Sequence, residues 1–137
     1  MTNFETQEQR AYDLGLTIHK FAFHDNLRAL LVDNQIFIDP RLPISEAAVV
    51  LAEEIAHHQT GYCDARLVGD LERTKQELAA AKAQQHELLP PDKLLLLLKK
   101  TPYYYEIAEE TGLPEKFIRE TMASYACKYP DKFKSAH

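Results

Sequence analysis

The stretch between Pro43 and Gly61 constrains the fold of this 137-residue chain more than any other. Ser45 is a suitable N-cap, because its hydroxyl can accept an orphan amide of a first helical turn. Glu46 then places negative charge at the positive end of the helix dipole. Gly61 is a C′ stop, since glycine takes up the left-handed backbone that ends a helix without steric cost. A helix is therefore predicted over 45–60. It carries the run Leu51-Ala-Glu-Glu-Ile-Ala-His-His-Gln-Thr-Gly61, the part of the chain with most chemistry to offer.

The flanking sequence supplies partners for that helix. Residues 5–19 show helical spacing, with Leu14, Ile18 and Phe21 at i, i+4 and i+7 facing a core. Between Arg28 and Asp39 two apolar runs flank Asp33-Asn34, both tolerant of positive φ, which reads as a hairpin ended by Pro40 and Pro43. A loop of about eight residues, near the usual range for connections, leads to a helix over 71–89 rich in Ala, Glu, Lys and Gln. Pro90-Pro91 stops it, and Asp92 caps a short helix through Leu98. Residues 103–110 and 114–125 form a helix pair joined at Thr111-Gly112-Leu113, with Pro114 at a helix N-terminus, where a missing N–H costs little. The expected class is α+β, mostly helical, with a small antiparallel β-hairpin or sheet.

Composition narrows the function classes. With 45% hydrophobic and 27% charged residues the chain is globular and long enough to bury a core without disulfides or a structural metal. A metal found here is expected to be functional. Cys63 and Cys127 lie far apart and in no paired motif, as free thiols of a reducing compartment do. A net charge of −5 argues against nucleic acid as a partner. The polar, acidic start has no basic segment followed by an apolar run, so no signal peptide is expected. Apolar runs such as Leu94 to Leu98 fall far short of the roughly 20 residues of a membrane span. The expected location is the cytoplasm.

On a helix, Glu53 and His57 are four apart and Glu54 and His57 three apart, so two carboxylates and an imidazole project toward nearly one point. The pattern E-E-x-x-H resembles the zincin motif H-E-x-x-H, with Glu53 in place of the first histidine. Zinc accepts carboxylate oxygen as well as imidazole nitrogen. A Glu ligand adds negative charge, which weakens Lewis acidity and favours a harder divalent ion such as manganese beside zinc. Glu54 stands in the position of the base that takes a proton from the attacking water. A third ligand must come from elsewhere. Glu77 is the best candidate, on the next helix among the small residues Ala79, Ala80, Ala81 and Ala83; Asp64, Asp70 and Glu72 are alternatives, and His58 could pair with Glu54 in a shifted register. Against all this, acid–histidine pairs at helical spacing commonly occur as plain surface pairs. His19, His24 and His86 read as surface or half-buried residues, and Tyr103-Tyr104-Tyr105 as packing.

The context of the motif resembles the ImmA/IrrE family of metallopeptidase-like proteins, in particular the short versions carried by phages and integrative elements. The likeness runs from Leu30-Leu-Val-Asp-Asn-Gln-Ile-Phe-Ile38 through Leu51-Ala-Glu-Glu-Ile-Ala-His-His58 to Lys75-Gln-Glu-Leu-Ala79 and Glu87-Leu-Leu-Pro90. It continues in Tyr105-Glu-Ile-Ala-Glu-Glu-Thr-Gly-Leu-Pro114 and Ser124-Tyr125. Several short phage members look to share the Glu-Glu start of the motif. The resemblance implies a minimal zincin core, here residues 1–100, and a C-terminal helical, helix-turn-helix-like extension, residues 101–137. It implies His57 and Glu77 as metal ligands, with Glu54 as the base. It also implies cleavage of a repressor protein encoded nearby. Two departures stand out: Glu53 replaces the usual histidine, and the Glu77 helix lacks the usual Glu-Ala-Asn pattern.

Three functions compete on these grounds: a metal-dependent endopeptidase acting on a repressor, a non-enzymatic antirepressor on the same scaffold, and DNA binding through the helix pair. Glu115, Lys116, Arg119 and Glu120 nearly cancel in charge on the second helix of that pair, which argues against the third.

Overall fold

A computed structural model describes residues 1–61 and 69–133. The chain forms two compact units, residues 1–84 and 85–137. Among the described residues it is mostly helical with one three-stranded sheet, an α+β fold.

The first helix, α1 (Asn3–Asp13), starts two residues before Glu5 because Thr2 and Glu5 form a capping box. The Thr2 hydroxyl accepts the Glu5 amide and the Glu5 carboxylate accepts the Thr2 amide, each at 3.1 Å. The expected continuation to His19 does not occur. Gly15 turns left-handed at φ +77° and the Leu16 amide returns to the Ala11 carbonyl at 2.8 Å, which closes the helix. Leu14 and Phe21 are consequently 40% and 50% exposed rather than core. Thr17 and Ile18, β-branched and suited to a pleated backbone, open strand β1 (Thr17–Lys20).

The hairpin forms as expected: β2 (Ala29–Val32) and β3 (Gln35–Ile38) pair antiparallel, with Asp33 taking the positive φ of +55°. The sheet is nevertheless mixed, in the order β1-β3-β2, because β1 joins β3 in parallel with Thr17 opposite Gln35. One face of the sheet carries Ala29, Ile36 and Ile38 into a core with Ala11, Leu16, Val50, Leu51 and Ile55. On the other face Leu30 and Val32 remain exposed, as strand alternation requires.

Helix α2 (Ile44–Gln59) packs into that core. Its N-cap is Pro43, not Ser45: the extended backbone at Pro43 lets the helix begin at Ile44, which leaves Ser45 inside the first turn with no cap role. Thr60 closes it and Gly61 turns left-handed at φ +75°. Helix α3 (Asp70–Leu88) follows the segment 62–68, and Cys63 and Asp64 lie outside the described residues.

In the second unit, α4 (Pro91–Lys100), α5 (Tyr104–Thr111), α6 (Glu115–Lys128) and the short α7 (Pro130–Phe133) surround Leu94, Ile107, Ile118, Tyr125 and Phe133. Asp92 lies inside α4, whose N-cap is Pro90, and Pro114 is the N-cap of α6. The Tyr125 hydroxyl donates to the Leu89 carbonyl at 2.6 Å in a buried setting. Gly112 takes the left-handed backbone between α5 and α6. Of the three consecutive tyrosines only Tyr104 is partly buried, beneath the Arg119 guanidinium; Tyr103 and Tyr105 stack on each other, 55% and 53% exposed, and so do not serve as packing. The two basic residues near the start of α6 are engaged within the helix, Arg119 with Glu115 at 2.8 Å and Lys116 with Glu120 at 4.0 Å.

Ile55 sits at the centre of the first core, fully buried. Ile55→Ala is expected to cost about 2–5 kcal/mol, the range for deleting a large buried aliphatic side chain. A shift of the urea midpoint equivalent to less than about 1 kcal/mol would contradict the core placement.

Candidate metal centre

Two buried stripes run along α2. Ala47, Val50, Leu51 and Ile55 face the sheet and α1. Ala48, Ala52 and Ala56, four apart, form a second stripe of small residues. With both flanks covered, polar side chains near the C-terminal end can be held out of water without leaving the helix. His57 is 6% exposed, and Glu53 and Glu54 are half-buried.

The imidazole Nε2 of His57 faces two carboxylates. Glu53 Oε1 approaches it at 3.8 Å from one turn earlier on α2, and Glu77 Oε2 at 3.7 Å from α3. One donor atom from each of the three residues lies within 4.8 Å of the other two. Donor atoms around a tetrahedral ion at about 2.1 Å stand about 3.4 Å apart. Small side-chain rotations would therefore bring these three donors onto one cation. An imidazole with two carboxylates suits a divalent ion of borderline or hard character. The set fits the metal that the motif implies.

Glu77 thus joins Glu53 and His57, although it comes from an element 20 residues further on (77 − 57). The other candidates do not join: among the described residues His58, Asp70 and Glu72 stand outside this group. Glu54 is not one of the three donors but lies within their field. Of the alanines on α3 only Ala80 is buried; Ala79 is exposed, and Ala81 and Ala83 are half-buried. The motif spacing does not reveal Gln84. It is buried, and its side-chain amide donates to the Val49 carbonyl of α2 at 2.7 Å. The available signal is its position four residues after Ala80, on the covered side of α3.

Burial pushes the Glu54 carboxyl up to about 7; the charge of His57 pulls it back, and Glu53 and Glu77 add to the rise. For His57, burial acts to lower the pKa, but Glu53, Glu54 and Glu77 outweigh it, and the net shift is upward from the ordinary 6.5. Glu54 and His57 therefore hold protons more tightly than they would in an unfolded chain. A cation would have to displace them, so uptake weakens in acid.

These shifts fix a stability trend for the metal-free protein. Between pH 4.5 and about 7 the folded chain retains the Glu54 proton that the unfolded chain loses, so stability falls as pH rises through that window. His57 adds to the fall, because a raised imidazole pKa stabilises below its ordinary value and ceases to do so once pH passes the raised one. In chelator, Glu54→Gln should match the wild type at pH 5 and exceed it at pH 8 by on the order of 2 kcal/mol in urea unfolding. A variant that tracked the wild type at both pH values would refute the buried, charge-crowded placement of Glu54.

No helix among the described residues is long and apolar enough to cross a membrane. No curated protein and no solved structure matches the chain. The family Peptidase_M78, the IrrE N-terminal-like domain, matches residues 11–122, a span that holds α2 and the Glu77 helix together. The chain belongs to this ImmA/IrrE family of metallopeptidase-like proteins.

Proposed function

We propose that this protein is a metal-dependent endopeptidase, using zinc or manganese, whose substrate is a repressor protein encoded beside it. The observation that carries the reading is the convergence of Glu53, His57 and Glu77 within 4.8 Å, with Glu54 next to them. Glu53, His57 and Glu77 hold the ion in this scheme. When bound, a divalent ion supplies Lewis acidity toward a peptide carbonyl and an attacking water. Glu54 does the proton work: half-buried beside the three donors, its carboxylate can accept a proton from water and deliver it to the departing amine. Family membership supports the peptidase class; the repressor as substrate follows from the resemblance to short mobile-element members.

Purified protein soaked in zinc or manganese is expected to hold about one equivalent, as one three-ligand site does. With the neighbouring repressor as substrate, cleavage should require the metal. Glu54→Gln should lower the rate by about 100-fold or more while leaving metal content unchanged. Protein that stays metal-free after soaking in either ion would overturn the reading.

The carboxylate at Glu53 favours a second reading, since it weakens the Lewis acid that hydrolysis needs. The same scaffold would then bind the repressor and displace it without cutting. Antirepression in cells that survives Glu54→Gln selects this reading; antirepression lost with that single atom exchange selects the peptidase.

A further inference from the structure

Glu77 presents a difficulty of placement. Its side chain is 49% exposed, so packing does not fix it, yet its carboxylate lies 3.7 Å from the buried His57 Nε2. Its position must come from where the backbone of α3 runs. In the segment 70–84 of that helix, the buried residues are Ala80 and Gln84. Ala80 is a small apolar contact that tolerates sliding. Gln84 makes a directional one, from its amide nitrogen to the Val49 carbonyl at 2.7 Å.

Two contacts between the helices, Val49 with Gln84 and His57 with Glu77, run in opposite sequence order, so the segments are antiparallel. They are also matched in length. On α2 the step is eight residues (57 − 49), on α3 seven (84 − 77), which at about 1.5 Å per residue gives about 12 and about 10.5 Å. The seven-residue step on α3 is close to two whole turns, so Glu77 and Gln84 lie on one face of that helix, while on α2 the Val49 contact is made through the backbone carbonyl. A slip of one residue would rotate Glu77 by about 100° about the helix axis and carry it off His57. The carbonyl that Gln84 grips is also the one that accepts the Glu53 amide in α-helical geometry, so the anchor meets α2 at the turn bearing another of the three donors.

We propose that Gln84 is a positioning residue of the metal centre: its side-chain amide, fixed on the Val49 carbonyl, sets the register of α3 against α2 that brings Glu77 to His57. The consequence for metal affinity rests on the metal-centre reading above; the register itself does not. Removing the amide strands no partner, because the Val49 carbonyl keeps its helical bond. Gln84→Met is therefore expected to fold.

The test has two arms, with Gln84→Asn as a second variant whose amide is too short to reach and circular dichroism to verify folding. In the first arm, zinc affinity is measured by competition with a chromophoric chelator. Gln84→Met should weaken binding by about tenfold or more, as loss of an outer positioning group does. In a Glu77→Gln background the same substitution should change nothing. An equal loss in both backgrounds would mean that Gln84 does not act through Glu77 and would overturn the proposal.

The second arm needs no metal. In a Cys63→Ser/Cys127→Ser background, His57→Cys and Glu77→Cys are bridged in chelator by dibromobimane, which fluoresces only when it joins two thiols. Gln84→Met and Gln84→Asn should slow bridging severalfold. An unchanged bridging rate would overturn the proposal whatever the metal data show. Slowed bridging in a protein that takes up no zinc would uphold the register role and remove the metal-centre reading instead.

Discussion

A buried imidazole surrounded by three carboxylates is the constraint to which the first unit is organised. His57 is 6% exposed, and Glu53, Glu54 and Glu77 all act on it electrostatically. Like charges at such range repel, the more so where burial limits the water that screens them, as at Glu54. A folded chain can relieve that repulsion by holding protons, by binding a cation, or by moving the side chains apart. The raised pKa values of Glu54 and His57 show the first response in the metal-free protein. The rest of the unit opposes the third. The core residues of α2 tie it to α1 and the sheet, and Gln84 ties α3 to α2. Rigidity in the apolar layers therefore maintains an electrostatically unfavourable cluster, the kind of arrangement that strongly perturbs pKa values.

Parts of this arrangement were legible in the sequence, and the reasons are local. The E-E-x-x-H spacing fixes which side chains share a helical face before any tertiary contact exists, so Glu53 and His57 were bound to approach each other. Gly61 and the prolines at 90 and 91 act through their own backbone preferences, and the helix ends they mark agree with the structure to within a residue or two. Asp33-Asn34 did the same for the hairpin. Less legible was anything that depends on pairing at a distance. The spacing of Leu14, Ile18 and Phe21 fits a helix, and only the termination at Gly15 and the empty edge of β3 turn Thr17–Lys20 into a parallel strand. The Thr2–Glu5 capping box carries a T-x-x-E pattern, but it precedes no regular apolar spacing that would mark a helix start there. Gln84 looks like any polar residue on a helix of good formers, and its importance appears only with the carbonyl it meets.

The exchange of histidine for Glu53 redistributes charge within the site. With His57 neutral, Glu53, Glu54 and Glu77 carry three formal negative charges, one more than the same set with histidine at position 53. A divalent ion would leave the cluster one charge negative if Glu54 were ionised and neutral if Glu54 kept its proton. The extra carboxylate thus weakens the cation as a Lewis acid, and by the same field it strengthens Glu54 as a base. The two effects oppose each other in any reaction that needs both. Burial of Glu54 acts on the same side as Glu53, since it too favours the protonated form. In the proposed peptidase the chain would therefore place more of the chemical demand on the Glu54 carboxyl and less on the ion, so that activity would turn on the surroundings of Glu54 rather than on the identity of the metal.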